Sequence, residues 1–139
     1  MIDAVKTIGT MIDRQGVVFL GSVDGNGFPN TKAMLSPRIR EGIRVFYFHT
    51  NTSSMRVGQF RRESKACLYV CDQQAFRGVM LTGRVEVLED AGHKEMLWRE
   101  GDTMYYPKGV TDPDYCVLRF TAERGRAYRD FSSEDIQVG

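Results

Sequence analysis

The chain has 139 residues, of which 42% are hydrophobic and 27% charged, and its formal net charge is +1. This length and composition predict a single globular domain over residues 1–139, because two domains of half the length would each bury too small a core. No apolar run approaches the roughly 20 residues that a membrane helix needs, and no basic segment precedes the first apolar residues, which argues against a membrane span and a signal peptide. We therefore expect a cytoplasmic protein.

The positive charge is concentrated in the middle of the chain. Residues 32–65 carry eight Lys and Arg against two Glu, so this segment has a net charge of +6 and the remainder has −5. A basic centre in a nearly neutral protein favours an anionic ligand. For Arg61, Arg62 and Lys65, a solvated face of a helix and a strand is the simpler interpretation.

Helical spacing is confined to short segments. In three segments, apolar residues recur at helical spacing after a residue that can act as the N-cap of a helix. They are residues 3–14 behind Asp3, a segment from Thr52 or Ser53 to about Arg62, and a segment from Asp90 that includes Met96, Leu97 and Trp98.

Seven segments are predicted to be strands, because they are apolar or β-branched and are bounded by turn residues. They are residues 17–23, 30–38, 43–50, 66–71, 77–88, 116–122 and 126–131. In the third strand, Val45, Tyr47 and His49 are predicted to lie on one face and Phe46 and Phe48 on the other.

The turns between these strands indicate an antiparallel arrangement. Asp24-Gly25-Asn26-Gly27 and Glu41-Gly42 predict tight turns, and Arg124-Gly125 predicts a closing hairpin. Gly83 predicts a bend or a bulge within its strand, and residues 103–115 are predicted to be a loop. The connections are too short for repeated βαβ crossovers. We therefore predict a mainly β protein, an antiparallel barrel with a few peripheral helices.

Cysteine and histidine are too few and too dispersed for a disulfide framework or a common metal site. Cys67, Cys71 and Cys116 are interpreted as buried structural thiols, since Cys67 and Cys71 are about 13 Å apart along one predicted strand. His49 and His93 do not have the spacing of a metal site. The glycine-rich nucleotide loops and the usual hydrolase motifs are absent. The aromatic residues show no RNA-binding strand motif, so we expect them in the core and expect no nucleic-acid partner.

The polar sequence from His49 to Arg56 stands between a predicted strand and a predicted helix. It combines hydroxyl side chains, helix N-terminal amides and a cation, which are groups that bind phosphate. The same residues also describe an ordinary capped helix, in which Ser and Thr satisfy only backbone amides. Both interpretations stay open from these residues alone.

Longer segments resemble a known family. FYFHTNTSSMRVGQF, the later RGVMLTGRVEVLED and the tail YYPKGVTDPDYCVLRF are similar to the pyridoxamine 5′-phosphate oxidase-like FMN-binding split barrels, especially the general-stress-protein-26-like branch. That pattern has a strand, Thr-Asn and then Ser-x-Lys/Arg at a helix start, and a basic residue three positions after a proline, here Pro29 and Lys32. The resemblance extends to about Phe131 and implies a split β-barrel with Greek-key character.

The resemblance also implies non-covalent FMN binding at the interface of a homodimer. Lys32 stands where the family has an arginine on the phosphate side, and Met55 stands at an often basic position. The implied flavin-binding residues are Lys32, Ala33, Met34, His49, Thr50, Ser53, Ser54, Met55, Arg56 and, from the partner chain, Trp98. Ser53, Ser54 and Arg56 are expected to hold the phosphate. Tyr128 is the alternative to Trp98 for a side chain that reaches the ring across the interface.

The function implied by the resemblance is that of an FMN-dependent oxidoreductase, which passes electrons from a reduced nicotinamide to a small acceptor. The chain ends in EDIQVG and lacks the basic C-terminal residues of the true vitamin B6 oxidases, so we do not expect oxidation of pyridoxamine phosphate. A flavin carrier or sensor without turnover is the alternative, as is a haem or deazaflavin binder of the same fold. No catalytic acid or base is assigned.

Overall fold

The computed structural model describes residues 4–139, and its main element is an antiparallel sheet. The strands are β1 (Val17–Val23), β2 (Pro29–Leu35), β3 (Ile39–Glu41), β4 (Val45–Asn51), β5 (Lys65–Asp72), β6 (Arg77–Leu88), β7 (Tyr115–Arg129) and β8 (Ser132–Ile136). The helices are α1 (Ala4–Arg14), α2 (Met55–Arg62) and α3 (Ala91–Leu97), with a short 3-10 helix at Asp102–Met104. None of these helices is long and apolar enough to cross a membrane. The predicted N-cap Asp3 lies outside the described residues.

The strands are hydrogen-bonded in the order β2-β1-β5-β6-β7-β4-β3, and β8 pairs with β7. The neighbours β1 and β5, and likewise β7 and β4, are distant in sequence, which is the predicted Greek-key character. The hydrogen-bonded path ends at β2 and at β3 without closing, so the sheet is split. The prediction of a mainly β, antiparallel split-barrel fold is confirmed.

β7 differs from the prediction. The sequence predicts two strands and a hairpin at Arg124-Gly125, but the structure has one strand of 15 residues, Tyr115–Arg129. Gly125 is paired with Ile136, and a Cβ at Gly125 would lie 2.8 Å from the Ile136 side chain. The glycine therefore permits close packing instead of a turn. The hairpin lies further on, at Asp130 and Phe131, which both have positive φ.

The return strand of the first hairpin is shorter than predicted. β2 ends at Leu35 instead of Arg38, and the separate strand β3, which the sequence analysis did not predict, begins at Ile39. Pro37 lacks an amide hydrogen, so the chain leaves the β1–β2 ladder before this residue. Arg38 then donates its amide to the Tyr47 carbonyl, at the start of the β3–β4 pairing.

Two helix boundaries also need correction. The N-cap of α2 is Ser54, whose side chain accepts from the Val57 amide at 3.4 Å. The predicted caps Thr52 and Ser53 both donate their amides to Asp114, so the chain turns into the helix only after them. α3 ends at Leu97, and Trp98 follows as its C-cap with extended backbone.

Two hydrophobic clusters lie on the two faces of β4, as the predicted alternation requires. Phe46 and Phe48 belong to the larger cluster, which also contains Ile8 and Ile12 of α1. Tyr47 belongs to the smaller cluster. The other buried members of the smaller cluster are Leu97, Tyr106, Tyr115 and Val117.

The cysteines are less buried than predicted. Cys116 on β7 is fully buried, but Cys67 and Cys71 on β5 are only half-buried. They alternate with the buried Leu68 and Val70, so they lie on the outer face of the sheet, which residues 4–139 cover only in part.

Gly83 lies at an irregularity in the ladder between β6 and β7. The register shifts between Thr82 and Gly83, which confirms the predicted bulge. A Cβ at Gly83 would lie 1.9 Å from the Thr121 carbonyl oxygen, far closer than two unbonded atoms can approach. Only glycine lets the two strands come this close.

Gly83→Ala is expected to lower the free energy of unfolding by roughly 2–3 kcal/mol, because the backbone of β7 would have to move. Gly58→Ala is the matched control, since a Cβ at Gly58 in α2 meets no atom within 4 Å. Alanine at position 58 is expected to stabilise the protein by about 0.5–1 kcal/mol. Urea unfolding of both variants measures the difference, and equal effects would contradict the close approach at Gly83.

Candidate functional site

A groove of about 140 Å³ lies between β2, at one end of the sheet, and the second half of β4. The two strands are not hydrogen-bonded to each other, so the split in the sheet forms the groove. α2 and the loop after α3 complete its walls. The lining residues are Lys32, Ala33, Met34, Leu35, Ser36, Phe48, His49, Thr50, Asn51, Arg56, Tyr105 and Tyr106.

The side of the groove near α2 is basic. Lys32 is exposed on β2, and Arg56 lies partly buried in the first turn of α2. Burial lowers the pKa of Arg56, although a guanidinium stays charged in a protein. Arg56 Nε is buried and has no hydrogen-bond partner among residues 4–139. A cation in the first turn also opposes the helix dipole, so the position of Arg56 is unfavourable without an anion.

A carboxylate that the sequence analysis missed holds the turn between β4 and α2. Asp114 Oδ1 accepts from the Ser53 amide and Oδ2 from the Asn51 side chain, both at 2.8 Å. The Asp114 carbonyl accepts from the Thr52 amide, also at 2.8 Å. The hydrogen bonds from Asn51 and Ser53 lower the pKa of Asp114, because they stabilise its ionised form. Only the pairing of β4 with β7 brings this distant residue to the turn.

The side of the groove near the loop after α3 is aromatic. His49 Nδ1 lies 2.8 Å from the Tyr106 hydroxyl, and the rings of His49 and Tyr105 are 5.5 Å apart between centroids. Trp98 and Tyr115 pack against Tyr106, with centroid distances of 6.2 Å and 4.7 Å. The signal that could have found Tyr105 and Tyr106 is the Tyr-Tyr pair in an otherwise polar loop.

The hydrogen bond between His49 and Tyr106 joins two neutral groups. Burial lowers the pKa of His49, and the nearby Arg38 lowers it further, so His49 is neutral near pH 7. Burial raises the pKa of Tyr106, so its phenol keeps its proton. This side of the groove offers neutral hydrogen-bonding groups rather than a charged acid or base.

An ion pair holds the loop after α3 against the end of the sheet. Arg38 Nη2 donates to Asp102 Oδ1 at 2.7 Å, and Arg38 Nη1 donates to Asp102 Oδ2 and to the Leu97 carbonyl. Asp102 also accepts from the Arg99 amide. The side chains of Arg38 and Asp102 are only 12% and 3% exposed. The Arg38 guanidinium holds the pKa of Asp102 below its usual value.

The structure brings six of the ten residues implied by the resemblance into one groove. They are Lys32, Ala33, Met34, His49, Thr50 and Arg56. Ser53, Ser54 and Met55 lie in the adjoining turn and helix start, where Met55 is 73% exposed. Trp98 packs within its own chain and does not line the groove, and Tyr128 is exposed on β7. A role for Trp98 or Tyr128 in the groove of a partner chain stays a prediction.

Asp102→Asn is expected to lower the free energy of unfolding at pH 7 by about 3 kcal/mol, because it leaves the largely buried Arg38 without its counter-charge. The pKa of Asp102 is lower in the folded chain than in the unfolded chain. The stability from this pair is therefore present above about pH 4 and is lost as the pH falls through the folded pKa. Urea unfolding at pH 7 and pH 3 measures both effects.

Asp135→Asn is the matched control for this prediction. Asp135 also pairs with an arginine, Arg126, but its side chain is 87% exposed. An exposed pair contributes about 0–1 kcal/mol, so this variant should unfold almost like the wild type. An Asp102→Asn variant as stable as Asp135→Asn at pH 7 would contradict the structural role of the buried pair.

The chain is similar to known proteins along nearly its whole length. The family described as "Pyridoxamine 5'-phosphate oxidase" matches residues 4–129. A Clostridium acetobutylicum protein related to general stress protein 26 of Bacillus subtilis, of the pyridoxinephosphate oxidase family, is 38% identical. Its structure matches with a TM-score of 0.88 and covers 99% of this chain and 97% of that chain.

More distant structures share the fold. General stress protein 26 from Bacillus anthracis is 16% identical, with a TM-score of 0.77 over 97% of this chain and 100% of that chain. A nimC/nimA family protein from Clostridium acetobutylicum is 19% identical, with a TM-score of 0.72 over 96% of this chain and 91% of that chain. No curated protein matches the chain.

The family match includes both walls of the groove and every residue that the resemblance implies for the site. The relative with 38% identity agrees with it in both sequence and fold. The chain therefore belongs to the pyridoxamine 5′-phosphate oxidase family.

Proposed function

We propose that the groove binds FMN non-covalently and that the protein is an FMN-dependent oxidoreductase. The observation that carries this proposal is the buried Arg56 Nε, which has no partner among residues 4–139. A buried donor of a charged group is costly when it is left unpaired, and an anion in the groove would offset that cost. Membership of this family supports a flavin phosphate as the anion.

The basic side of the groove fits a phosphate group. Lys32 and Arg56 supply cations from two separate elements that both line the groove. Ser54, at the N-cap of α2, and the first amides of the helix add hydrogen-bonding groups. The Ser53 amide is already engaged by Asp114 and the Ser54 amide by the Asn51 carbonyl, whereas the Ser54 hydroxyl can still donate its proton. We therefore assign the main phosphate contacts to Lys32, Ser54 and Arg56.

The remaining groove fits a flat ring system. Among residues 4–139, β2 pairs only with β1, so part of the backbone of residues 32–34 is left free to hydrogen-bond a ligand. His49 and Thr50 line the opposite wall on β4, and the neutral His49 ring can hydrogen-bond a ligand through Nε2. The buried side chains of Met34 and Phe48 also line the groove and give the ring apolar contacts.

The chemistry would come from the cofactor. When bound, FMN would supply the redox step between a reduced nicotinamide and a small acceptor. None of the described lining residues is a carboxylate, and His49 is neutral. The residues of this chain would therefore bind and orient the cofactor and the substrate instead of acting as a charged acid or base.

We also propose that the protein is a homodimer in which the partner chain completes the groove. Val17, Phe19 and Leu35 are 46%, 37% and 58% exposed on β1 and β2. In the β1–β2 register, Val17 is paired with Leu35 and Phe19 with Ala33, so these side chains form one apolar face beside the groove. An exposed apolar face of this kind indicates a protein partner, and a second copy would bury it.

Arg56→Ala is expected to weaken FMN binding by one to two orders of magnitude and to leave the binding of riboflavin, which has no phosphate, unchanged. Losing one charge-assisted hydrogen bond costs roughly 1.5–3 kcal/mol. Titration of the apo protein with each ligand, followed by flavin fluorescence, measures the two affinities.

Arg62→Ala is the matched control for Arg56→Ala, because Arg62 lies exposed in the last turn of the same helix. It should change neither affinity. If Arg56→Ala weakens both ligands equally, Arg56 does not contact the phosphate. If it weakens neither ligand, the cofactor does not bind at this helix.

Measuring NADH or NADPH oxidation distinguishes an oxidoreductase from a flavin carrier or sensor, and the absorption spectrum distinguishes both from a haem-binding protein. Oxidation of NADH or NADPH by the FMN-loaded protein, faster than by free FMN, is expected for an oxidoreductase. FMN binding without such oxidation would support a flavin carrier or sensor. A Soret band in the purified protein, with no flavin band, would support haem binding.

Val17→Glu is expected to weaken dimerisation by roughly tenfold or more, since it places a charge in the proposed apolar interface. Sedimentation equilibrium measures the dissociation constant. Val5→Glu is the matched control, because Val5 is 39% exposed on α1, which contributes no residue to the proposed interface. A wild-type protein that is a monomer and still binds FMN would contradict the shared site.

A further inference from the structure

The turn between β4 and α2 spans residues 52–54, and its conformation decides where the first turn of α2 lies. Two hydrogen bonds lie within the turn and its helix start. The Ser54 amide donates to the Asn51 carbonyl at 3.0 Å, and the Val57 amide donates to Ser54 Oγ at 3.4 Å. The second distance is long for a bond from an amide to an oxygen, so the cap alone holds the helix start weakly.

Asp114 supplies further contacts to this turn. Its two carboxylate oxygens and its carbonyl accept hydrogen bonds from three consecutive residues, Asn51, Thr52 and Ser53, each at 2.8 Å. Two of these bonds go to an ionised group, which makes them stronger than bonds between neutral groups. Asp114, which comes from a loop distant in sequence, therefore holds the three residues 51–53 that lead into α2. We call this set of three hydrogen bonds the clamp.

Asp114 is itself held by its neighbours. Its amide donates to Asp112 Oδ1 at 2.9 Å, and the Asp112 carbonyl accepts from the buried Lys94 Nζ at 3.0 Å. The next residue, Tyr115, begins β7 and is paired with Asn51 of β4. Asp114 is thus fixed to α3 through Asp112 and Lys94, and to the sheet through Tyr115. These contacts make it a rigid support for the turn.

From these contacts we infer that Asp114 is a positioning residue for the cofactor phosphate, an inference that rests on the proposed function. A carboxylate near an anion site is electrostatically unfavourable, so its presence there requires a compensating effect. We infer that the compensating effect is preorganisation. The clamp holds Arg56 in the groove and Ser54 beside it before the ligand binds, so less conformational entropy is lost on binding. Both Asp114 oxygens are occupied by donors, which reduces their repulsion of a phosphate.

Asp114→Ala is expected to weaken FMN binding by about tenfold and to change riboflavin binding by less than about twofold, because only the phosphate uses the clamped turn. Asp114→Asn should restore part of the lost affinity, since its amide oxygen can still accept from the Ser53 amide. Both variants are titrated with FMN and riboflavin as full-length apo protein.

Asp72→Ala is the matched control. Asp72, the last residue of β5, also holds a turn by accepting from backbone amides, those of Gln74 at 3.1 Å and Ala75 at 3.2 Å, but it does not line the groove. It should leave both affinities unchanged. Amide hydrogen exchange of the apo protein adds a readout without cofactor, in which Asp114→Ala is expected to speed exchange at Ser53.

The outcomes distinguish this inference from the proposed function. If wild-type protein binds FMN no more tightly than riboflavin, the proposed function fails and the inference fails with it. If Arg56→Ala removes the preference for FMN but Asp114→Ala does not, only the positioning role of Asp114 is overturned. Equal weakening of both ligands, tighter FMN binding or unchanged exchange at Ser53 in Asp114→Ala would also overturn it.

Discussion

β4 is paired with β7 from Val45–Thr121 to Asn51–Tyr115, and the ladder ends where the chain turns into α2. This pairing places His49 and Thr50 at the groove and brings the residue before β7, Asp114, against the turn after β4. The loop before Asp114 carries the two tyrosines that form the aromatic wall. The β4 wall, the turn after β4 and the aromatic wall therefore all depend on the ladder between β4 and β7. A change in the register of this ladder would displace all of them together.

The two sides of the groove differ in charge because they are built differently. Near α2, Lys32 and Arg56 supply two cations, and both carboxylate oxygens of Asp114 at the adjoining turn already accept hydrogen bonds. Near the loop after α3, the charges of Arg38 and Asp102 neutralise each other behind the wall, and burial keeps His49 neutral. A ligand with an anionic end and a neutral, flat end matches this distribution.

Residues 4–139 contain locally unfavourable features at the groove and beside it. Arg56 has a buried donor without a partner in the described chain, and the outer face of β1 and β2 exposes Val17, Phe19 and Leu35. Such departures from self-sufficient folding are typical of binding sites, because the missing partner is supplied by another molecule. Leu35 belongs to the exposed face and also lines the groove with Arg56, which is why a ligand and a second copy are proposed to meet at the same place.

The sequence alone determined the features that have a local cause. Glycine and asparagine predict the hairpin at 24–27, alternation predicts the two faces of β4, and the bulge at Gly83 follows from a glycine within an apolar strand. The order of motifs along the chain also indicated the family, because that order is itself a property of the sequence. Six of the implied site residues then proved to share one groove.

Tertiary structure decided the features that depend on neighbours distant in sequence. Arg124-Gly125 resembles a turn, but pairing with β6 and β8 keeps it extended. Ser54 is the cap of α2 because a carboxylate 61 positions after Ser53 holds the residues before it. A hydrogen bond between residues so far apart leaves no periodicity or spacing in the sequence, so the role of Asp114 became visible only in the folded chain.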